Sequence, residues 1–351
     1  MFDGPNETGI IVHWYGPHIF HTNHQPVYDY LQNFSEWDSY EHKVLGKVDG
    51  QLVPIPFNFT SIEKLFPTAK ANFLITILKE SFPSVKKVSI LDLLNHQNKE
   101  IVKFGQFVYN KVFVNYTAKQ WGLHPDYVDQ SVINRIPVVL GYDDRYFNDQ
   151  IQYMPKNGFT VLFEKMLNHH NITMELNCDA EKRLSFDQKK NRVFLDRQAI
   201  DCPVVYTGSI DCLLKFEFGE FPYRSLDMVF ENYQQSAFQS IGVVNYPNEE
   251  DFTRITEFKY LTNQFLDGKT TIMKEYPLPY NKDNIKGNVP YYPIINPANL
   301  GLYQKYQNEL AKFSNVYLCG RLAEYKYYNM DAVVDRAFEI TNEIKRNNQW
   351  N

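Results

Sequence analysis

Two short apolar runs that each close on a glycine most limit what this chain can fold into: Val204-Val205-Tyr206-Thr207-Gly208 and Val316-Tyr317-Leu318-Cys319-Gly320. Each reads as a buried strand running into a glycine turn, and the second leads to a helix predicted over about 331–346. Units of this kind form the later strands of sheets that bind a dinucleotide at the carboxyl ends of parallel strands. A single strand–glycine turn is weak evidence, because any α/β protein can contain one. The unit that should precede them, strand–GxGxxG–helix, is absent from the sequence. Too few residues stand upstream of the first motif for a βαβ unit of roughly thirty residues.

The rest of the chain divides by pattern. Ile10 to Trp14 predicts a strand that Gly16-Pro17 breaks, and Pro26 to Phe34 a short helix with proline near its start. Asp49-Gly50 between the extended runs Val44–Val48 and Gln51–Phe57 predicts a hairpin. From about Ser61 to Asn115 apolar residues recur at helical spacing (Leu91, Leu94, Ile101, Phe104, Val108), and a polar, aromatic stretch, 116–122, ends that region. Val229–Phe230, Ile241–Tyr246, Thr253–Phe258 and Thr271–Tyr276 predict an antiparallel sheet.

Bulk properties exclude several classes. With net charge −5 and no basic tract, nucleic acid has no electrostatic footprint. No apolar run approaches a membrane span, and the N-terminus lacks the pattern of a signal peptide. Cys178, Cys202, Cys212 and Cys319 include no CxxC and predict reduced, buried thiols in a cytoplasmic protein. The 25 Tyr and 26 Phe are mostly core, although tyrosines also suit half-wet clefts for sugars or bases.

Four clusters carry candidate chemistry. Tyr15-Gly16-Pro17-His18-Ile19-Phe20-His21-Thr22 is a tight turn with flanking histidines. His13, His18, His21 and His24 lack the regular spacing and the carboxylate or Cys partner of a zinc site. Tyr116-Thr117-Ala118-Lys119-Gln120-Trp121-Gly122 could stack a base or sugar, although alone it reads as a helix end packing its indole. Arg135, Arg224, Arg254 and Arg321 have the fork that matches phosphate, and singly each is more often structural. In Gly320-Arg321-Leu322-Ala323-Glu324-Tyr325-Lys326-Tyr327-Tyr328-Asn329-Met330 a glycine turn frees N–H groups that can meet phosphate or an isoalloxazine edge, with three tyrosines facing whatever lies above the sheet.

In this order the clusters resemble the UDP-galactopyranose mutase family. The matching stretches run from YGPHIFHTN (15–23) through PFN (56–58), YTAKQWG (116–122), RIPV (135–138), YDDRYFND (142–149), VVYTGSID (204–211), YRSL (223–226), TRI (253–255), KEYP (274–277) and PYYPI (290–294) to GRLAEYKYYNM (320–330). The resemblance covers essentially the whole chain. It implies an isomerase that interconverts UDP-galactopyranose and UDP-galactofuranose, for cell-wall galactofuranose, by covalent catalysis in which reduced FAD supplies the nucleophile. Carried over by position, Arg135 and Arg254 match the arginines that clamp the diphosphate, with Arg135 on a mobile loop. His21 matches a histidine near the flavin. Tyr116 and Phe113 match positions around the uracil and Trp121 an active-site tryptophan; Tyr146, Tyr292 and Tyr327 match diphosphate tyrosines; Asn245 matches an asparagine near the substrate. Arg224, Arg321, Asn329 and Met330 match flavin-side positions. The bacterial type is commonly dimeric.

The chain departs from the family pattern at Asn329, where Asp is usual, at Val139, where Arg is usual, and in the absent N-terminal βαβ unit. The expected fold is therefore α/β: an incomplete Rossmann-like FAD-binding domain, an inserted helical domain and a mainly antiparallel β-sheet domain. The expected division is 1–60 as a remnant of the FAD-binding domain, 61–122 helical insertion, and 123–200 mobile loop and return to the FAD-binding domain. It continues with 201–219 as FAD-domain strand and turn, 220–295 substrate sheet, and 296–351 C-terminal strand and helix. Without the glycine cradle, poor FAD binding and low mutase activity are expected. The alternative is a flavin-poor relative or fragment that retains a UDP-sugar site. A different flavin enzyme of the amine-oxidase kind fits the paired arginines less well.

Overall fold

A computed structural model of the chain describes residues 2–122 and 137–347. The chain forms two compact units. One comprises Met1–Asn23, Phe34–Phe163 and Leu226–Pro279; the other comprises His24–Asn33, Glu164–Ser225 and Tyr280–Asn351.

The first unit is built on a sheet with strand order Tyr223–Tyr233, Thr270–Pro279, Arg254–Glu257, Val243–Asn245, Val44–Val48, Gln51–Ile55. The run Val44–Val48 alternates buried and half-buried positions, as a strand with one covered face must. Asp49 and Gly50 both have positive φ (47° and 79°), which gives the tight turn expected of that dipeptide. The sequence predicts an antiparallel sheet, and the pairings Val243–Asn245 with Arg254–Glu257 and Arg254–Glu257 with Thr270–Pro279 are antiparallel. One pairing differs: Val44–Val48 joins Val243–Asn245 in parallel. The hairpin thereby extends the sheet that carries Asn245 and Arg254, a long-range choice that local patterning does not encode.

Helices follow the hairpin. In Lys99–Val108 the buried residues Ile101, Phe104, Gly105 and Val108 fall on one helical face, with Asn98 capping through Glu100 N–H. Gly105 is required by a close approach, since a Cβ there would stand 2.9 Å from Leu93 Cβ. These helices enclose a core that includes Ile62, Leu74, Leu78, Ile90, Ile101 and Phe104. Helical structure does not stop before the aromatic stretch: a π-helix, Tyr109–Val114, leads into the α-helix Asn115–Trp121, which ends at left-handed Gly122 (φ 64°). A smaller sheet pairs Phe20–Thr22 and Trp37–Ser39 on either side of Ile151–Pro155.

The second unit contains the two glycine-terminated strands. Val204–Tyr206 and Val316–Leu318 lie parallel, Val204 opposite Val316. Met330–Asn347 forms the C-terminal helix, and a three-stranded meander spans Leu184–Ile200. Tyr223 and Arg224, at the start of the long strand Tyr223–Tyr233, pair with Tyr292–Pro293. Tyr206, Ile210, Phe221, Tyr306 and Tyr325 anchor the core.

Two expectations are corrected. Tyr325 does not face outward with the other tyrosines of its motif: it is 1% exposed and stacks on Phe221 at 4.2 Å. Its hydroxyl donates to the main chain of Pro222 or Ile294 (3.0 Å each), so the ring serves the core. The cysteines are all free, but only Cys319 is buried; Cys178 and Cys202 are exposed. No helix among the described residues is long and apolar enough to cross a membrane.

Candidate functional site

In the first unit the functional cluster grows out of strand register. Asn245 lies opposite Arg254, and Arg254 opposite Glu275, on three adjacent strands. Directly opposed residues project to the same face of a sheet. Arg254 and Glu275 meet there, with Arg254 Nε 3.7 Å from Glu275 Oε1. The helix Asn115–Trp121 supplies Tyr116, whose hydroxyl accepts from Arg254 Nη2 at 3.2 Å. Lys119, one turn on, donates to the Tyr246 carbonyl at 3.0 Å, and burial lowers its basicity. The Arg254 side chain keeps 28% of its surface exposed, whereas Glu275 is buried. Burial raises the Glu275 pKa, and Arg254 opposes that shift. Asn245 is also buried, and among the described residues its Oδ1 has no hydrogen-bond partner.

Histidines border this cluster. His42 is held neutral, with its pKa lowered to about 3, first by burial and then by the positive charges of Arg254 and of His21 when protonated. Tyr146 packs edge-on against His42, with 5.5 Å between centroids, and its N–H donates to the His42 carbonyl at 2.7 Å. His21 stacks on Phe147 (3.6 Å, 13°), and its Nδ1–H donates to Asp149 Oδ2 at 2.6 Å. Asn23 donates to the other carboxylate oxygen of Asp149 at 2.6 Å.

The remaining histidines of the N-terminal run have separate partners. His13 is buried; it accepts from His18 N–H through Nδ1 (3.0 Å) and turns Nε2 toward Asp3 (3.8 Å). Burial lowers its pKa, against the pull of Asp3. The Asp3 carboxylate also takes the N–H groups of Phe159 and Thr160 (2.7 Å each). His24 pairs with Asp335 at 3.3 Å. Among the described residues, no three His, Cys, Asp or Glu side chains group as metal ligands.

The second unit holds the other predicted site residues in a different setting. The guanidinium of Arg321 donates to the carbonyls of Tyr291 (3.0 Å) and Tyr328 (2.9 Å). It also lies within reach of the rings of Tyr292 (5.9 Å) and Tyr327 (5.6 Å), which stack on each other at 6.1 Å. Arg224 is buried at 8% exposure, opposite Tyr292 in register, and burial lowers its basicity. Gly320 adopts φ 96°, and nothing stands within 4 Å of where its Cβ would be. Asn329 is exposed and Met330 opens the last helix.

Of the predicted residues, the structure brings together Tyr116, Arg254 and Asn245 in one unit, and Arg321, Tyr292 and Tyr327 in the other. Phe113 instead joins the helical core at 6% exposure. Arg135 lies outside the described residues, as does the side chain of Trp121. The sequence alone assigns no role to His42, Phe147, Asp149 or Glu275. The last three stand inside quoted motifs, but only burial and register reveal that they touch the cluster. His42 has no motif signal.

A sequence profile of the family described as "GLF: UDP-galactopyranose mutase" matches residues 111–327. The chain is 37% identical over 332 residues to a UDP-galactopyranose mutase of Mycoplasma genitalium, covering 94% of this chain and 81% of that protein. It is 31% identical over 350 residues to the dTDP-fucopyranose mutase of Escherichia coli, covering 98% and 88%. The crystal structure of a reduced UDP-galactopyranose mutase superposes with a TM-score of 0.67 at 17% identity, covering 98% of this chain and 88% of that one, a likeness of fold. The profile spans more than half of the sequence and the relatives exceed 30% identity over nearly all of it, so the chain belongs to the UDP-galactopyranose mutase family.

Proposed function

We propose that this chain isomerises a nucleotide-diphosphate sugar, interconverting UDP-galactopyranose and UDP-galactofuranose with reduced FAD. The observation that carries the reading is the Arg254 cluster. A partly exposed guanidinium is held on a strand by a tyrosine hydroxyl and a buried carboxyl, beside a histidine kept neutral. Such a fork suits a diphosphate, binding two oxygens at once and stabilising the charge that grows on UDP as the anomeric bond breaks. A neutral His42 offers a hydrogen bond without adding a second cation. Asn245 Oδ1 is a buried acceptor suited to a sugar hydroxyl. By family position, Arg135 is the second diphosphate arginine, Tyr116 borders the base, Trp121 is an active-site tryptophan, and Tyr146 binds the diphosphate.

The residues of the second unit fit a flavin. The parallel strands, ending at Tyr206 and Leu318, lead on to Gly208 and Gly320, and open space at Gly320 lets backbone approach a planar group. The desolvated Arg224 favours an anionic neighbour. Arg224, Arg321, Asn329 and Met330 would hold the cofactor. Reduced FAD, when bound, supplies the nucleophile; the protein binds the diphosphate and orients the sugar.

A second reading, a dTDP sugar, is favoured by the 31% identity to the dTDP-fucopyranose mutase. The reading as a flavin-poor binder of UDP sugars shares the same diphosphate grip. The test is calorimetric titration with UDP and dTDP, together with the flavin absorbance of the purified protein and turnover of UDP-galactofuranose after dithionite reduction. Binding of UDP is expected, and yellow colour with reduction-dependent turnover would support the mutase reading. Binding without flavin or turnover would leave the flavin-poor binder, preference for dTDP would move the substrate, and binding of neither nucleotide would overturn the proposal.

A further inference from the structure

The helix that carries Tyr116 is reached through a π-helical turn, Tyr109–Val114, set between the α-helices Lys99–Val108 and Asn115–Trp121. A wide turn of this kind takes up one extra residue. One residue is about 100° of helical rotation. The turn therefore decides which face of Asn115–Trp121 meets Arg254.

Two side chains hold the turn from outside: Asp49 accepts from Lys111 Nζ at 2.6 Å, and Asn248 bonds the turn's backbone. Asn248 Nδ2 donates to the Lys111 carbonyl, inside the π-turn, at 3.1 Å. Asn248 Oδ1 accepts from Asn115 Nδ2, at the first residue of the next helix, at 3.1 Å. Asn248 lies in the loop between the strands Val243–Asn245 and Arg254–Glu257, so the loop that joins Asn245 to Arg254 is fastened to the helix that presents Tyr116. Lys119 makes a second tie to the same loop at the Tyr246 carbonyl. The amide supplies a donor and an acceptor on separate atoms; aspartate keeps the acceptor and loses the donor. The surroundings are polar: a cavity of about 270 Å³ lies among Lys47, Asp49, Asn110, Lys111, Asn115 and Asn248. Truncating Asn248 therefore removes a tie without opening a void in an apolar core.

We propose that Asn248 is a positioning residue: it fixes the π-turn so that the Tyr116 hydroxyl stays on Arg254 and the guanidinium fork is aimed before ligand binds. The inference rests on the diphosphate reading of the Arg254 cluster. It is tested by calorimetric titration of UDP into the wild type, Asn248→Ala, Asn248→Asp, Tyr116→Phe and the Asn248→Ala/Tyr116→Phe double variant. Asn248→Ala and Asn248→Asp should each weaken UDP about tenfold, the worth of roughly one hydrogen bond. In the Tyr116→Phe background the effect of Asn248→Ala should shrink to about twofold or less, since coupled residues are not additive. A merely structural Asn248 would give the same loss with and without the Tyr116 hydroxyl, and that result, or unchanged affinity in both single variants, overturns the inference. A wild type that binds no UDP overturns the proposed function itself, and the inference with it.

Discussion

The two arginine clusters use the same side chain in opposite ways. Arg254 meets side chains, a hydroxyl and a carboxyl that a ligand oxygen can join or replace. Arg321 meets two main-chain carbonyls, which hold the segments around Tyr291 and Tyr328 together. The first arrangement keeps a charged fork poised for a ligand; the second makes it a brace with rings stacked around it. A guanidinium in a family motif therefore does not announce its task. Its partners do: losing Arg254 should lower nucleotide affinity, and losing Arg321, which would also hold the cofactor, should lower stability as well.

The units also differ in how they meet acid, and this gives the largest expected effect. The first unit buries His13 and His42 with lowered pKa values, His42 to about 3. In the unfolded chain each takes up a proton below its ordinary value of 6.5, while the folded site resists it. Their stabilisation is full above that value and is lost as pH falls toward the depressed one. At about pH 5 each should have removed about 2 kcal/mol, at about 1.4 kcal/mol per pKa unit. Hydrogen exchange should therefore show Val244 and Ile255 losing protection on acidification more steeply than Tyr206 and Tyr317, and His42→Gln should flatten that dependence. Equal acid sensitivity in the two units would remove this contrast.

Arg321→Ala comes next. Two charge-assisted hydrogen bonds to carbonyls are lost, each worth about 1.5–3 kcal/mol, so the second unit should weaken by roughly 3 kcal/mol. A denaturant midpoint that barely moves would show that the brace carries little. The smallest effect is a control away from both clusters. Ser89 caps the helix Ile90–Leu94 through Asp92 N–H, so Ser89→Ala should cost about 1 kcal/mol by chemical denaturation and leave UDP affinity unchanged.

What the sequence revealed was local. The Asp49-Gly50 hairpin, the helical spacing through Val108 and the two glycine-terminated strands each carry their own turn chemistry or periodicity, and all three stand in the structure, although the first strand, read as buried, exposes Val205. The tie between Val44–Val48 and Val243–Asn245 is long-range and parallel, and nothing in either segment names its partner. In the site, Tyr116 and Arg254 were legible through their motifs. His42 and Glu275 were not, because their chemistry comes from burial beside Arg254 rather than from spacing. Tyr325 shows the converse: its place in a motif suggested a site, and packing put it in the core. The π-turn could not be read either, since its residues keep an ordinary helical pattern.

Arg254, on the proposed reading, grips phosphate rather than nucleoside. The most direct measurement is calorimetric titration of wild type and Arg254→Ala with UDP and with uridine, which lacks the phosphates. The substitution should weaken UDP by about 1.5–3 kcal/mol, the worth of a charge-assisted hydrogen bond, and leave uridine binding unchanged. An unchanged UDP affinity, or an equal loss for both ligands, would contradict that reading.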